Sequence, residues 1–263
     1  FGVGMRGVNK MWIPNFVYSL YERSLIQQID ATNIPQHVGI ILDGNRRWAN
    51  SLGMTASSGH RKGAYHVTEV LEWCEEAHIK LVTLWMLSTD NLKRAEAELA
   101  ELLDIIADLI EDMAKSQRWE LRVLGDLDLL PPAIAARIKK AVASTSSGGK
   151  MQVNVAIGYG GRQEITNAVR RYLSEQAAQG KELGEVAHSI TVSDITEHMY
   201  TRGQPDPDLI IRTSGEQRLS GFLLWQTVHT EFYFCETFWP DFRRTDFLRA
   251  LRDFSARERR MGV

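Results

Sequence analysis

The chain has 263 residues and a nearly balanced charge, with 31 lysines and arginines against 33 aspartates and glutamates. The length suits one large α/β domain, because no strong linker divides the chain, and the balanced charge argues against general nucleic-acid binding. No apolar run reaches the length of a membrane span and no secretory signal is recognisable, so we expect a cytoplasmic protein. Association with the inner face of the plasma membrane stays open.

Residues 1–34 are predicted to form an N-terminal segment with one amphipathic helix, from about Pro14 to Gln28, because apolar residues recur there at helical spacing. This helix could dock on the main domain, residues 35–263, pair with another subunit or touch a membrane surface. Its polar face mixes Glu22 with Arg23 rather than being uniformly basic, which favours docking.

The main domain opens with a short apolar run, His37–Leu42, which stops at Asp43 and is followed by a small, polar and basic turn. Four apolar residues without polar alternation predict a strand covered on both faces, as in a parallel sheet. Asp43 would lie at the carboxyl end of this strand, where open α/β sheets bind their ligands. Gly44 allows close approach of the backbone to a ligand, and a helix over Arg46–Leu52 would present free N–H groups to an anion.

The arginines of this turn, Arg46 and Arg47, add guanidinium donors for an anion. A carboxylate beside so many anion-binding groups makes sense if a hard cation such as Mg²⁺ joins it to a pyrophosphate. The alternative is a surface turn that is capped by Asp43 and carries solvated arginines. From this stretch alone both interpretations stay open.

The second predicted strand, Lys80–Leu87, also ends in polar groups, because Ser88–Arg94 supplies hydroxyl, amide and basic side chains. Before this strand, His60 and Arg61 precede the predicted helix Ala64–Ala77. Both are therefore expected near a helix N-terminus, the end suited to phosphate. A lone histidine at such a place is more often only a cap or a surface residue.

The third predicted helix of the main domain is long, Ala95–Lys115, and its broad apolar stripe could pack in the core or form the wall of a tunnel for an apolar ligand. Further on, Gly158–Arg162 opens a helix that runs through Leu173. Its glycines resemble a phosphate loop but match neither the dinucleotide fingerprint nor the P-loop. Between these helices we predict strands at Leu121–Leu124 and Met151–Ile157 and a helix at Pro131–Ser144.

A second candidate anion site follows the short predicted strand Leu209–Arg212, because Arg212–Ser220 offers two arginines, hydroxyls and a glycine. Two such sites on one sheet suggest two phosphorylated substrates, or one substrate with separated phosphates. Glu231 falls in an aromatic-rich run, His229–Phe234, where a buried acid needs a partner or a cation. The chain ends with a predicted helix, Thr245–Arg257, and a basic tail.

With both arginine loops considered, the chain resembles the cis-prenyltransferases, the undecaprenyl diphosphate synthase family, from about Pro35 to Gly262. The resemblance implies a mostly parallel sheet flanked by helices, an apolar tunnel for the growing chain and, generally, a homodimer. The motifs that carry it are His37–Trp48, Ser88–Arg94, Gly158–Glu164, Asp206–Trp225, Trp239–Phe242 and Arg260–Gly262.

The resemblance also implies which side chains bind and react. Asp43 and Glu231 are expected to bind Mg²⁺, the first loop to hold an allylic diphosphate and the second arginine loop to hold isopentenyl diphosphate. The expected catalytic residues are Asp43, Asn45, Ser88 and Asn91, of which the last three align the reaction and relay the departing proton. The expected substrate-binding residues are Gly44, Asn45, Arg46, Arg47, Trp48, His60, Met86, Arg94, Arg212, Arg218, Ser220 and Arg260, with Arg260 reaching across from the partner subunit of a homodimer.

Several positions depart from the common pattern of the family, including Ala56, Arg46 and Met86. Ala56 stands where many long-chain enzymes have an arginine, Arg46 replaces a glycine common in bacterial enzymes, and Met86 stands where long-chain enzymes often have alanine. A bulky Met86 suggests a shortened tunnel. This combination resembles the short-chain Z-farnesyl diphosphate synthases of actinobacteria, and implies a Mg²⁺-dependent transferase that condenses isopentenyl diphosphate with geranyl diphosphate to give (2Z,6E)-farnesyl diphosphate.

Other functions stay open. A long-chain decaprenyl or undecaprenyl diphosphate synthase is the alternative within the same class. The chain could also be the non-catalytic partner subunit known in this family, but that subunit type lacks the first aspartate loop, which is present here as Asp43–Arg47. A phosphatase would need a water-activating group, and none is identifiable in the sequence.

Overall fold

The computed structural model describes residues 15–145, 148 and 150–257. The strands of this part of the chain are β1 (His37–Ile41), β2 (Leu81–Ser88), β3 (Glu120–Leu124), β4 (Gln152–Tyr159), β5 (Leu209–Arg212) and β6 (Glu231–Phe234). They form one sheet in the order β3-β4-β2-β1-β5-β6, and every pair of neighbours is parallel. The predicted fold class, a mostly parallel sheet flanked by helices in a single α/β domain, is confirmed.

The helices flank this sheet, and their amphipathic faces cover it. Helices α3 and α4 each bury one apolar stripe and pack against one another. Helix α4 also packs against α5. The helices of the described residues are α1 (Asn15–Gln28), α2 (Asn45–Ser51), α3 (Ala56–Glu76), α4 (Glu96–Ser116), α5 (Pro132–Ala143), α6 (Gly161–Ala178), α7 (Leu183–Ser189), α8 (Val192–Thr196) and α9 (Arg244–Ser255).

The carboxyl ends of the three central strands meet at one level of the sheet. Ile41 in β1 lies opposite Trp85 in β2 and opposite Arg212 in β5. Since neighbouring strands lie about 4.8 Å apart, residues that follow these ends come within reach of one another. Strands β1 and β5 are buried along their whole length, as parallel strands with both faces covered should be.

A close approach of α3 to the loop after β1 fixes one side of this sheet edge. A Cβ atom at Gly63 would lie 2.1 Å from Oδ1 of Asn45, so only glycine permits this distance. The carbonyl of Gly63 also accepts a hydrogen bond of 2.9 Å from the indole N–H of Trp239, which is fully buried. Trp239 in turn stacks on Phe242, whose own burial contributes roughly 2 kcal/mol.

Helix α3 begins earlier than predicted, at Ala56 rather than Ala64. The hydroxyl of Thr55 accepts a backbone N–H and caps this earlier start. His60 therefore lies in the second turn of α3, and its predicted place at a helix N-terminus is wrong. The glycines around it are not a loop signal, because a Cβ atom at Gly59 would lie 2.3 Å from the Asn45 carbonyl oxygen. They permit close packing of two helices instead.

Three short elements were not predicted. Strand β6 has only four residues, too few for a clear hydrophobic period. Among the described strands it pairs only with β5. Helices α7 and α8 are also short. Thr191 and Asp194 form a capping box at the start of α8, and this Thr-x-x-Asp spacing could have indicated the helix.

Helix α1 docks on the domain, as its mixed polar face favoured. It packs against α9, Leu25 is fully buried, and the hydroxyl of Tyr21 accepts a 3.1 Å hydrogen bond from Arg249. Pro14, the predicted first residue of this helix, lies outside the described residues. None of the helices described here is both long and apolar enough to cross a membrane.

Candidate active site

A cleft of about 540 Å³ opens at the carboxyl ends of β1, β2 and β5, a size typical of small-molecule sites. Its lining combines charged side chains from the loops after these strands with apolar side chains from β2, α3 and α4. The structure brings thirteen predicted site residues together in it: Asp43, Gly44, Asn45, Arg46, Arg47, His60, Met86, Ser88, Asn91, Arg94, Arg212, Arg218 and Ser220.

Asp43 lies between two arginines. One carboxylate oxygen accepts a 2.8 Å hydrogen bond from Arg212, and the other accepts one of 3.1 Å from Arg47. Its backbone N–H donates to the Thr213 hydroxyl at 3.0 Å, which fixes the position of the residue. Burial opposes ionisation, but the hydrogen bond and charge of Arg212, with the charge of Arg47, outweigh it and hold the pKa of Asp43 below its ordinary value. The carboxylate is thus ionised at neutral pH.

The loop after Asp43 has the conformation that its sequence predicted. Gly44 has φ +107°, in the left-handed region that favours glycine. The side-chain amide of Asn45 donates to the Leu42 carbonyl at 3.1 Å, which holds the turn closed. Its buried Oδ1 atom has no hydrogen-bond partner. Because a buried polar atom without a partner is costly, this oxygen is suited to meet a ligand.

The second arginine loop is organised around Arg212. One of its terminal nitrogens donates to the Ser220 hydroxyl at 2.7 Å and to the Arg218 carbonyl. Its Nε atom is buried without a partner. Ser214 and Ser220 have φ of 80° and 53°, and such strained backbone often marks functional sites. The loop therefore keeps a buried guanidinium aimed along the edge of the sheet.

Glu216 is a cleft residue that the sequence reasoning missed. Its carboxylate accepts a hydrogen bond of 3.0 Å from Arg47 and another from Arg218. Arg47 also donates to the Ser214 hydroxyl at 2.7 Å. Its position inside the second arginine loop was a signal for it, because an acidic residue among anion-binding groups is expected to pair with their arginines.

Glu98 in α4 is a second missed residue, although it does not appear in the lining of the cleft. It forms ion pairs with Arg94 at 3.1 Å and with Arg46 at 3.6 Å. Nε2 of His60 lies 3.4 Å from Arg94, which can only donate, so His60 accepts. Burial, together with the positive charge of Arg94, lowers the pKa of His60 to about 4. His60 is therefore neutral at pH 7, and its Nδ1 carries the proton.

The apolar part of the cleft lies against α4. The helix packs in the core, as predicted, and side chains of its apolar stripe also line the cleft. Met86, at the end of β2, is partly buried against the core and also lines the cleft. The side chains that line this part are Val67, Trp85, Met86, Leu102, Ile105, Ile106 and Leu109.

Three predicted site residues are not found in the cleft. Trp48 follows Arg47 on α2 and does not line it, because the next position on a helix points about 100° away. Arg260 lies outside the described residues. Glu231 lies opposite Leu209, at the start of β5, and pairs with Arg257.

Glu231 lies away from Asp43 within the chain, so one chain alone does not bring together the two residues that were expected to bind Mg²⁺. Arg212, the partner of Asp43, is three residues beyond the level of Glu231 on β5, and at about 3.3 Å per residue this is roughly 10 Å along the sheet. Among the described residues, no cluster of three or more histidine, cysteine, aspartate or glutamate side chains could hold a metal. A cation at Asp43 would thus need further ligands from outside the described residues, such as phosphate oxygens of a substrate.

The glycines after β4 have a packing role. Their sequence had left open whether they form a phosphate-binding loop. The backbone N–H of Gly161 donates to the Gly221 carbonyl at 2.8 Å and is not free for an anion. A Cβ atom at Gly161 would lie 2.6 Å from that same oxygen. The segment joins α6 to the second arginine loop and does not line the cleft.

Two arginine loops, the ionised Asp43 and an apolar wall meet at the carboxyl edge of the parallel sheet. This arrangement suits a ligand with an anionic head and an apolar chain. The family model of undecaprenyl diphosphate synthases matches residues 41–262. The chain belongs to this family, the cis-prenyltransferases.

Curated relatives cover nearly the whole chain. The (2Z,6E)-farnesyl diphosphate synthase of Thermobifida fusca is 53% identical over 94% of this chain and 97% of its own length. The short-chain Z-isoprenyl diphosphate synthase of Mycobacterium leprae is 51% identical over 94% of this chain and 95% of its own. Among solved structures, lavandulyl diphosphate synthase from Lavandula x intermedia, in complex with dimethylallyl diphosphate, has a TM-score of 0.82 and 33% identity, and covers 88% of this chain and 100% of its own.

Proposed function

We propose that the protein condenses isopentenyl diphosphate with geranyl diphosphate and releases (2Z,6E)-farnesyl diphosphate. The observation that carries this proposal is the combination, in one cleft, of two arginine loops with a wall of apolar side chains that includes Met86. Each loop suits one diphosphate, and the apolar wall suits a short prenyl chain. The names of the Thermobifida and Mycobacterium relatives support the same reaction.

The two loops divide the two diphosphates between them. The backbone of Gly44–Arg47, with Arg47 and the neutral His60, would hold the allylic diphosphate. N–H groups at the start of α2 and planar guanidinium groups suit phosphate oxygens. Arg212, Arg218 and Ser220 would hold isopentenyl diphosphate, because they converge at the end of the neighbouring strand.

The oxygen donors of the first loop fit Mg²⁺, on which this family generally depends. Asp43 supplies an ionised carboxylate with two oxygens, and Mg²⁺ is commonly held by one or two carboxylates together with substrate phosphates. When bound, the ion would neutralise charge on the departing pyrophosphate. Asp43 would then exchange its contacts with Arg47 and Arg212 for the cation, which releases both guanidiniums toward the diphosphates.

The reaction needs alignment and the removal of one proton. The allylic C–O bond breaks and its electron pair leaves with pyrophosphate, while the terminal carbon of isopentenyl diphosphate forms the new C–C bond. A proton then leaves the condensed chain, and its C–H electron pair becomes the new Z double bond. Ser88 and Asn91 lie at the end of β2, where the Ser88 hydroxyl accepts the Asn91 N–H at 3.1 Å. The proton of the Ser88 hydroxyl is thus free to face the substrates. Ser88 and Asn91 would relay the departing proton together with Asn45.

We place the active form in a homodimer to which each chain contributes Arg260 across the interface. Strand β6 ends the described sheet, and the stacked rings of Phe232 and Phe234 lie on it, with Phe234 38% exposed. Such an apolar edge strand suits a subunit contact. Glu231 lies on the same strand, so a partner could bring it to a site that its own chain does not reach.

The product of the purified protein tests this function. Labelled isopentenyl diphosphate is incubated with dimethylallyl, geranyl or (E,E)-farnesyl diphosphate in the presence of Mg²⁺, and product length and double-bond geometry are determined. We expect mainly a C15 Z-product from geranyl diphosphate. Products of C50 or more would assign a long-chain synthase. No consumption of any substrate would favour the non-catalytic partner subunit.

A further inference from the structure

The positive charges that line the cleft are all paired within the chain, five arginines with three carboxylates. Every arginine of the cleft lining forms an ion pair with a carboxylate. The carboxylates are Asp43, Glu98 and Glu216, and the arginines that they pair with are Arg46, Arg47, Arg94, Arg212 and Arg218. A diphosphate that enters the cleft therefore competes with side chains for its donors.

Glu216, like Asp43, connects the two proposed substrate sites, but unlike Asp43 it has no expected part in binding Mg²⁺. It lies 3.0 Å from Arg47, which belongs to the first loop, and it pairs with Arg218 of the second loop. The side chain of Glu216 is 27% exposed. It is therefore partly enclosed, but a ligand that enters the cleft can displace it toward solvent. Its two oxygens accept from one guanidinium each.

This bridge uses the same donors that two diphosphates would use. A guanidinium presents its N–H groups to a carboxylate and to a phosphate in the same planar geometry. A diphosphate at Arg47 also brings negative charge next to Glu216, and like charges at such short range repel. The first diphosphate would therefore displace the carboxylate from both arginines, and the second would find its own arginine already free.

We propose that Glu216 is an internal substitute for diphosphate that couples the binding of the two substrates. Whichever prenyl diphosphate binds first breaks the bridge, and the other then binds more tightly. This inference rests on the proposed function, since it requires that both diphosphates bind in this cleft. The coupling is reciprocal, so either ligand should raise the affinity for the other by the same factor.

Calorimetric titration with two non-reacting ligands tests the coupling. The ligands are isopentenyl diphosphate and geranyl thiolodiphosphate, a slow sulfur analogue, each titrated in Mg²⁺ with and without the other. In the wild type we expect each to lower the Kd of the other about fivefold or more. In Glu216→Gln, which keeps the shape but removes the charge, we expect tighter binding of each ligand alone and a smaller coupling factor than in the wild type, because only the Asp43 bridge between the two loops remains.

Glu236→Gln is the matched control, because Glu236 packs against Gly215 of the same loop but does not line the cleft. It should keep the wild-type coupling. If a melting curve shows that Glu216→Gln is unfolded, Glu216→Asp is used instead, since the shorter side chain cannot reach both arginines. Unchanged coupling, or weaker binding of each ligand alone, would overturn the inference. Absence of binding by either ligand to the wild type would overturn the proposed function itself.

Discussion

The carboxylate of Asp43 accepts a 2.8 Å hydrogen bond from the guanidinium of Arg212, although 169 residues separate the two in the chain. The register of the sheet creates this contact, because Arg212 lies opposite Ile41 and Asp43 follows directly after β1 and Leu42. One residue of the first loop and one of the second are thus joined in an ion pair. The two predicted anion sites are therefore parts of a single cleft.

We expect Asp43→Ala to lower kcat on the order of a hundredfold or more, because charge stabilisation of this kind is usually worth that much. The side chain is 28% exposed and is not part of the apolar core, so the fold should persist. Turnover of labelled isopentenyl diphosphate and a circular-dichroism melting curve measure the two effects. Asp112→Ala, at an exposed ion pair, is the control. Near-normal turnover in folded Asp43→Ala protein would eliminate the assigned role.

Arg218→Ala should chiefly weaken the binding of isopentenyl diphosphate and raise its KM by roughly 10- to 150-fold, as expected for loss of a charged hydrogen bond worth about 1.5–3 kcal/mol. Arg212→Ala should have a larger effect, because Arg212 also pairs with Asp43. Steady-state kinetics with each substrate varied in turn separates the sites, with exposed Arg202→Ala as control. A rise in KM for the allylic substrate alone would show that the two sites are exchanged.

Met86→Ala should shift the products to longer chains. One isoprene unit adds five carbons, and at about 0.8 kcal/mol per buried carbon its burial is worth roughly 4 kcal/mol, on the order of a thousandfold in an equilibrium constant. A side chain that denies this burial can stop elongation after very few additions. Chromatography of the dephosphorylated products measures the shift, with Met54→Ala, at an exposed methionine, as control. A product that stays C15 would place the barrier elsewhere in the cleft.

Mixed dimers test the proposed contribution of Arg260 across the interface. One subunit carries Arg260→Ala and the other Asp43→Ala. If Arg260 acts in the partner's site, one of the two sites is complete and about half of the wild-type activity per dimer should remain. If Arg260 acts within its own chain, neither site is complete and activity should vanish. Tandem affinity tags, one on each subunit, isolate the mixed species for the measurement.

Buried His37 should make the protein less stable as the pH falls. Its Nε2 contacts the Thr83 hydroxyl and its Nδ1 the Pro205 carbonyl, both at 2.8 Å. Burial lowers the pKa of His37 from 6.5 to about 4. The neutral form is thus favoured by folding. This stabilisation is complete above pH 6.5 and is lost as the pH falls through about 4, because the unfolded chain takes up the proton first.

The lost stability amounts to about 3 kcal/mol, at about 1.36 kcal/mol per pKa unit. Urea unfolding of the wild type and of His37→Gln at several pH values between 7 and 4 measures it. The difference between the two proteins isolates this histidine from the other titrating groups. A difference that does not change with pH would contradict the assignment.

Much of the fold and of the cleft follows from local patterns. The uninterrupted apolar residues of β1 and β5 predict strands covered on both faces, because any polar alternation would leave polar groups buried in a parallel sheet. The polar residues that follow these strands then mark the ligand-binding edge. Thirteen of the sixteen site residues implied by the family resemblance line the cleft. The start of α3 was less predictable, since Gly59 and Gly63 look like loop residues until the helix beside them is known.

The sequence by itself determined the parallel α/β architecture and the residues that gather at one edge of the sheet. The apolar runs of the strands and the polar residues that follow them are local features of the sequence. Only the tertiary structure decided which charges pair. Glu216 joins Arg47 to Arg218, while Glu231 pairs with Arg257 and lies away from Asp43 within the chain. An ion pair depends on distances of a few ångströms between segments far apart in sequence. Those distances are set by the register of the strands and by the path of the loops. Neither can be inferred from the identity of a charged residue.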